Sequence, residues 1–120
     1  MRHDARAYLS DIIESCGAIA AAVQGLDLDE YEGNRLIRSS VEREFIIIGE
    51  AIAALAQVAP DVFNAITKAR RIVDFRNQLT HEYLTVDDAI VWAIVENDIP
   101  ILFSECSSLI QRVTSRDEVL

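Results

Sequence analysis

Residues 35–59, RLIRSSVEREFIIIGEAIAALAQVA, hold the most regular apolar pattern in the chain. Ile37, Val41, Phe45, Ile48, Ile52, Leu55 and Ala59 recur at steps of 4, 4, 3, 4, 3 and 4. Those steps keep one stripe of a helix facing a core for about six turns. Ile46 and Ile47 fall off the stripe, so the helix is apolar on more than one side. Such a helix is either central in a bundle or covered by a second subunit. Pro60 ends it, because proline lacks an N–H and disfavours a helical residue before it.

Helices are also expected on either side. Upstream, Tyr8, Ile12, Ile19 and Val23 mark one face of a helix over about residues 3–24. The tract from Gly25 to Asn34 breaks that period. It holds Gly25, Gly33, Asp27, Asp29, Glu30 and Glu32, and it reads as a solvated loop or a poor helical turn. Downstream, Asp61 suits a helix N-terminus. Phe63, Ile66, Val73 and Leu79 give a weaker stripe over 61–83, with a short break near Thr67. Thr85-Val86-Asp87-Asp88 resembles a capping box. It opens a fourth stretch, 86–113, whose apolar face includes Ile90, Ile94 and Ile101. Pro100 lies inside that stretch and is expected to kink or split it. Residues 114–120 are expected to fray. No alternating strand pattern occurs. The fold class expected is all-α: an antiparallel, up-down four-helix bundle, five helices if Pro100 splits the last, forming a single domain over 1–120.

Composition sets the outer limits. The chain has 120 residues, 51% apolar and 26% charged, which suits one domain with a real core and excludes a disordered or collagen-like chain. Four Gly and two Pro leave too few turns for a small β-sandwich. Two cysteines, Cys16 and Cys106, cannot frame a disulfide scaffold and are expected to pack in the core. Met1-Arg2-His3-Asp4 begins no apolar leader, and no apolar run approaches the roughly 18 residues that span a bilayer. A cytoplasmic protein without a membrane partner is expected. Trp92 is expected in the core or an interface.

The formal charge is −9. A polyanionic partner must therefore be met by a local patch. Net charge is −5 over residues 1–34, +2 over 35–80 and −6 over 81–120. The most basic run holds Lys68, Arg70, Arg71 and Arg76 against Asp74. Directly after it comes the octapeptide RNQLTHEY, residues 76–83, with Asn77, Thr80, His81 and Tyr83. On a helix Asn77 and His81 share a face, and Arg76 and Thr80 form the adjacent row. His81 is offset from Arg76 by about 140° at 100° per residue. The two meet at one ligand only if the helix bends, if the arginine reaches round it, or if a second subunit supplies one of them.

Arginine and asparagine can hold a phosphate and stabilise charge developing on it. An imidazole, with an ordinary pKa of about 6.5, can take a proton from a ribose 2′-OH. The set fits transesterification of RNA, and it calls for no metal and no cofactor. His3 and His81 lie far apart, with no metal-ligand spacing. The plain alternative is a histidine capping a helix end beside an arginine in a salt bridge. Lys68, Arg70, Arg71 and Thr80 are candidate RNA-phosphate contacts. Arg43 and Glu50 are seven apart on one face of the 35–59 helix and either support the site or belong to an ordinary ion-pair network, the latter being favoured.

RNQLTHEY resembles the signature of the HEPN superfamily, and the tyrosine two residues after His81 resembles its HepT subfamily pattern, Arg-X4-His-X-Tyr. Val41-Glu42-Arg43 with Ile48-Gly49-Glu50-Ala51 is similar to that family's second helix. The string from Asp87 through Ile90-Val91-Trp92 to Asp98-Ile99-Pro100 is similar to the segment after its motif. The resemblance is best over 35–102. It implies a dimeric endoribonuclease toxin of a HepT/MntA-type toxin–antitoxin pair, with Arg76, Asn77 and His81 catalytic. It further implies metal-independent cleavage leaving a 2′,3′-cyclic phosphate and a 5′-hydroxyl. The implied partner, besides RNA and a second copy of the chain, is an MntA-like minimal nucleotidyltransferase antitoxin. It would form a hetero-oligomer with the toxin and silence it by AMPylation of Tyr83. A different function stays open: a non-catalytic nucleotide- or substrate-binding subunit of a nucleotidyltransferase, or a plain interaction bundle.

Overall fold

The computed structural model describes the backbone of residues 2–81 and 86–119 and the side chains of 5–81 and 86–116. Seven helices occur among these residues: α1 (Arg2–Val23), α2 (Leu28–Glu32), α3 (Arg35–Val58), α4 (Pro60–Asn64), α5 (Ala69–His81), α6 (Asp88–Asn97) and α7 (Ile99–Val119). The fold is an all-helical bundle, as expected. Four longer helices, α1, α3, α5 and α7, build it, and three short ones turn the corners.

α3 is the centre. It packs against α1 on one flank and α5 on the other, and α7 closes against α1. Val41, Phe45, Ile48, Ile52 and Leu55 of its stripe are all fully buried. Ile46 is half-buried and packs on the same core. Central placement thus accounts for a helix apolar on more than one side. Asn34 caps α3, its side chain accepting from the Ile37 N–H at 3.1 Å. Pro60 ends α3 and opens α4, where its missing N–H costs no hydrogen bond.

Local chemistry shapes the short elements. Inside the tract expected as a loop or poor turn, Asp27 and Glu30 form a reciprocal capping box at 2.8 and 3.0 Å, which nucleates the five-residue α2. Its purpose is burial: Tyr31 is wholly enclosed, its ring 5.3 Å from that of Trp92. Trp92 is therefore a core residue. The 61–83 stretch breaks as expected around Thr67, between α4 and α5. There Glu105 of α7 accepts from the Thr67 N–H at 3.1 Å and from its hydroxyl, tying the start of α5 to α7.

The fourth stretch does split, but at Asp98 rather than at Pro100. Asp98 closes α6 with its N–H on the Ile94 carbonyl at 2.9 Å, and its own carbonyl accepts from Leu102 of α7. Pro100 then sits in the first turn of α7, where an absent N–H is harmless. The cap of α6 is Asp87, whose side chain accepts from the Ala89 N–H at 2.8 Å. Thr85, expected as that cap, lies outside the described residues. α7 stays helical to Val119, through the stretch expected to fray. No helix among the described residues is long and apolar enough to cross a membrane.

Candidate active site

α5 carries the octapeptide up to His81. Its buried positions are Ala69, Ile72, Phe75 and Leu79, one stripe laid against α3. Phe75 meets Phe45 of α3 edge-on, with ring centroids 5.1 Å apart and planes at 87°. Arg76 is next in sequence and lies on the flank of that stripe, half-buried. Gly49 of α3, one turn beyond Phe45, faces it. A β-carbon at Gly49 would stand 2.3 Å from Arg76 Cβ and 2.6 Å from Cγ, so only glycine lets the two helices meet there.

Among the described residues, Nε of Arg76 is buried without a hydrogen-bond partner. Asn77 and His81 are exposed on the outer face of α5. The helix is regular from Ala69 to His81. Over five residues it rises about 7.5 Å and turns about 140° past whole turns, so Arg76 and His81 leave it in different directions. The structure places His81 in the last turn of α5 and does not bring it round to Arg76. Tyr83 lies outside the described residues.

The other candidate residues divide by what already engages them. Thr80 donates its hydroxyl to the carbonyls of Arg76 and Asn77 at 3.2 and 3.1 Å, back-bonding within its own helix. Arg71 pairs through Nε with Asp98 at 3.2 Å, tying α5 to the α6–α7 corner. Arg70 lies over the Phe63 ring, 5.8 Å from its centroid. Lys68, Arg70 and Arg71 line a pocket of about 350 Å³ with Phe63, Asn64 and Thr67, at the start of α5. Arg43 and Glu50 are exposed on α3, and no ion pair joins them among the described residues.

Sequence reasoning missed Gly49 as a separate residue. The available signal was a glycine inside the most regular helix, where it weakens the helix by roughly 1 kcal/mol relative to alanine. It also missed a titratable cluster beside Tyr31. Burial first, then the Asp88 carboxylate, raises the Glu42 carboxyl above its ordinary range, while Arg38 opposes the shift. Arg38 stands 3.7 Å from Asp88 and donates to the Glu32 carbonyl. Burial, with Glu42 and Asp88, also raises the Tyr31 hydroxyl.

The profile of the ribonuclease HepT-like family matches residues 12–109, a span that contains Arg76, Asn77, His81 and Gly49. The chain belongs to the HepT-like ribonuclease family. A protein of Methanocaldococcus jannaschii named "Putative RNase" is 32% identical over 104 residues, covering 87% of this chain and 94% of that protein. A second protein of that organism with the same designation is 26% identical over 117 residues, 98% of this chain and 96% of its own. A protein of Thermococcus cleftensis named "Probable ribonuclease HepT" is 28% identical over 105 residues, 85% of this chain and 92% of that relative. No solved structure matches the chain significantly. In this HepT-like chain of the HEPN kind, Arg76, Asn77 and His81 lie on α5, which packs against α3.

Proposed function

We propose that this HepT-like chain is a metal-independent endoribonuclease toxin that works as a homodimer and is neutralised by AMPylation of Tyr83. The observation that carries the reading is the state of the motif within a matched ribonuclease family. Arg76 is pinned on α3 with no ion pair among the described residues, and His81 is exposed at the end of the same helix.

In the proposed reaction His81 accepts the proton of a ribose 2′-OH. The 2′-oxygen attacks the adjacent phosphorus, and the bond to the 5′-oxygen breaks as that oxygen takes up a proton. Arg76, with Asn77, stabilises the charge that gathers on the non-bridging oxygens. The products are a 2′,3′-cyclic phosphate and a 5′-hydroxyl.

The offset of about 140° between Arg76 and His81 on a straight helix favours a composite site. Two copies facing each other across α5 would supply His81 of one to the Arg76 of the other. A basic strip of Lys68, Arg70 and Arg71 would hold flanking phosphates, with Arg71 the least available because Asp98 already holds it. A cognate MntA-like nucleotidyltransferase would transfer AMP to Tyr83. The added phosphodiester charge would compete with RNA for Arg76.

The test is RNA cleavage by purified protein in EDTA, wild type beside His81→Ala and Arg76→Ala, with product ends identified. Loss of a general base costs about 10²–10⁴-fold and loss of a charge stabiliser about 10²–10³-fold. Wild-type cleavage that survives His81→Ala would rule out this mechanism. Tyr83→Phe that is still silenced by the cognate transferase and ATP would rule out Tyr83 as the acceptor. Tight mononucleotide binding with no turnover of RNA would point instead to a nucleotide-binding subunit.

A further inference from the structure

Arg76 reaches its place through a gap in α3. A β-carbon at Gly49 would lie 2.3 Å from Arg76 Cβ, 2.6 Å from Cγ and 3.4 Å from Nε. Non-bonded carbons do not tolerate the first two separations, so any side chain at residue 49 drives α5 off α3 or turns the arginine away. Phe45 and Gly49 stand one helical turn apart on α3, and they receive the consecutive α5 residues Phe75 and Arg76. The aromatic pair anchors the contact, and the glycine beside it opens a channel for the arginine stem.

The channel also selects an edge of the guanidinium. An arginine can offer two parallel donors to a phosphate in two ways: Nε with one Nη, or the two Nη atoms together. Nε of Arg76 is buried beside Gly49 and meets no acceptor among the described residues. The side edge is therefore closed to a ligand, and the terminal edge remains.

We propose that Gly49 is the positioning residue for Arg76. Its missing β-carbon seats the arginine stem across α3, so that Nη1 and Nη2 alone present themselves to the RNA phosphate. The RNA half of this statement rests on the ribonuclease reading above; the seating of Arg76 does not.

Two measurements test it. The first needs no substitution: the Arg76 Nε–H signal of the intact protein by ¹⁵N NMR. It should be shielded from solvent exchange, whereas an Nε–H exchanging as fast as that of a free arginine overturns the proposal. The second compares wild type, Gly49→Ala, Arg76→Gly and the double variant for RNA cleavage and melting temperature. Gly49→Ala should lower kcat by about 10²-fold, the scale of an ångström-sized misplacement of a reacting group, with KM little changed. In the Arg76→Gly background no β-carbon opposes the new alanine. Gly49→Ala should then cost no further activity, and the melting temperature should recover towards that of Arg76→Gly alone.

Gly49→Ala that cleaves like wild type, while Arg76→Gly is inactive, overturns the proposal. Equal losses from Gly49→Ala in both backgrounds also overturn it, because they show a role independent of Arg76. If Arg76→Gly itself cleaves normally, the ribonuclease reading fails, and the Nε exchange and the recovery of melting temperature still decide whether Gly49 seats the arginine.

Discussion

Phe75 of α5 meets Phe45 of α3 edge-on at 5.1 Å, one residue before the motif arginine. Phe45 is wholly buried and Phe75 nearly so. The contact sets how α5 lies on α3, and so where Arg76 begins. Phe75→Ala should destabilise the protein by about 3–5 kcal/mol, the usual cost of truncating a buried aromatic. A double-mutant cycle with Phe45→Leu and Phe75→Leu, measured by chemical denaturation, should show coupling of about 0.5–1.5 kcal/mol. Additive losses would mean that the two rings contribute only as bulk.

Asp98 joins α6 to α7 and is buried, with Arg71 of α5 at 3.2 Å. The contact is an ion pair rather than a well-aimed hydrogen bond, since Oδ2 has no hydrogen-bond partner. Removing the cation leaves a buried carboxylate uncompensated. Arg71→Ala should cost about 1–3 kcal/mol, below the range for fully enclosed pairs because Arg71 is half open to solvent. Adding Asp98→Asn to Arg71→Ala should recover part of that loss. Urea titrations of the single and double variants measure it, and a double variant less stable than Arg71→Ala would refute the account.

Cys16 and Cys106 are free and buried. Burial pushes both thiols up to about 12, with a further push on Cys106 from Cys16 and then Glu105. At pH 8 the reactive thiolate is then about 10³-fold rarer than for an ordinary thiol. The native protein should resist a chromogenic disulfide reagent at that pH and release two equivalents once denatured. Rapid reaction of either cysteine in the native protein would show that the α1–α7 face opens readily.

Glu42 supplies a pH dependence with a definite sign. Its carboxyl lies above the ordinary 4.5, through burial first and Asp88 second. A raised acid binds its proton more readily in the folded state. Its contribution to stability is therefore full below the unfolded value and falls away as pH rises through the raised folded value. Glu42→Gln should be more stable than wild type at pH 7, with the difference shrinking towards about pH 3.5. Guanidinium denaturation at the two pH values checks this. A difference of the same size at both would sink it.

Much of the fold was legible because periodicity is a local property. Five of the seven stripe positions of α3, from Val41 to Leu55, are fully buried, and Ile37 and Ala59 are half-buried against the same core. The stop at Pro60 and the break near Thr67 also follow from residue types alone. The short elements were less legible. The burial of Tyr31 was hidden among acids, and the chain turns at Asp98 because tertiary contacts, not the proline two residues later, choose the corner.

Spacing along the chain was enough for the all-helical class, the long apolar helix over 35–59 and the row of Arg76, Asn77 and His81, since each depends on local periodicity. Only the tertiary structure shows that Arg76 threads past Gly49 with Nε enclosed, that Arg71 is held by Asp98, and that α3 is apolar on more than one side because α1 and α5 both pack on it. Gly49–Arg76 and Arg71–Asp98 each join residues 27 positions apart. No local pattern encodes them. They arise when two helices approach so closely that a single β-carbon decides what fits between them.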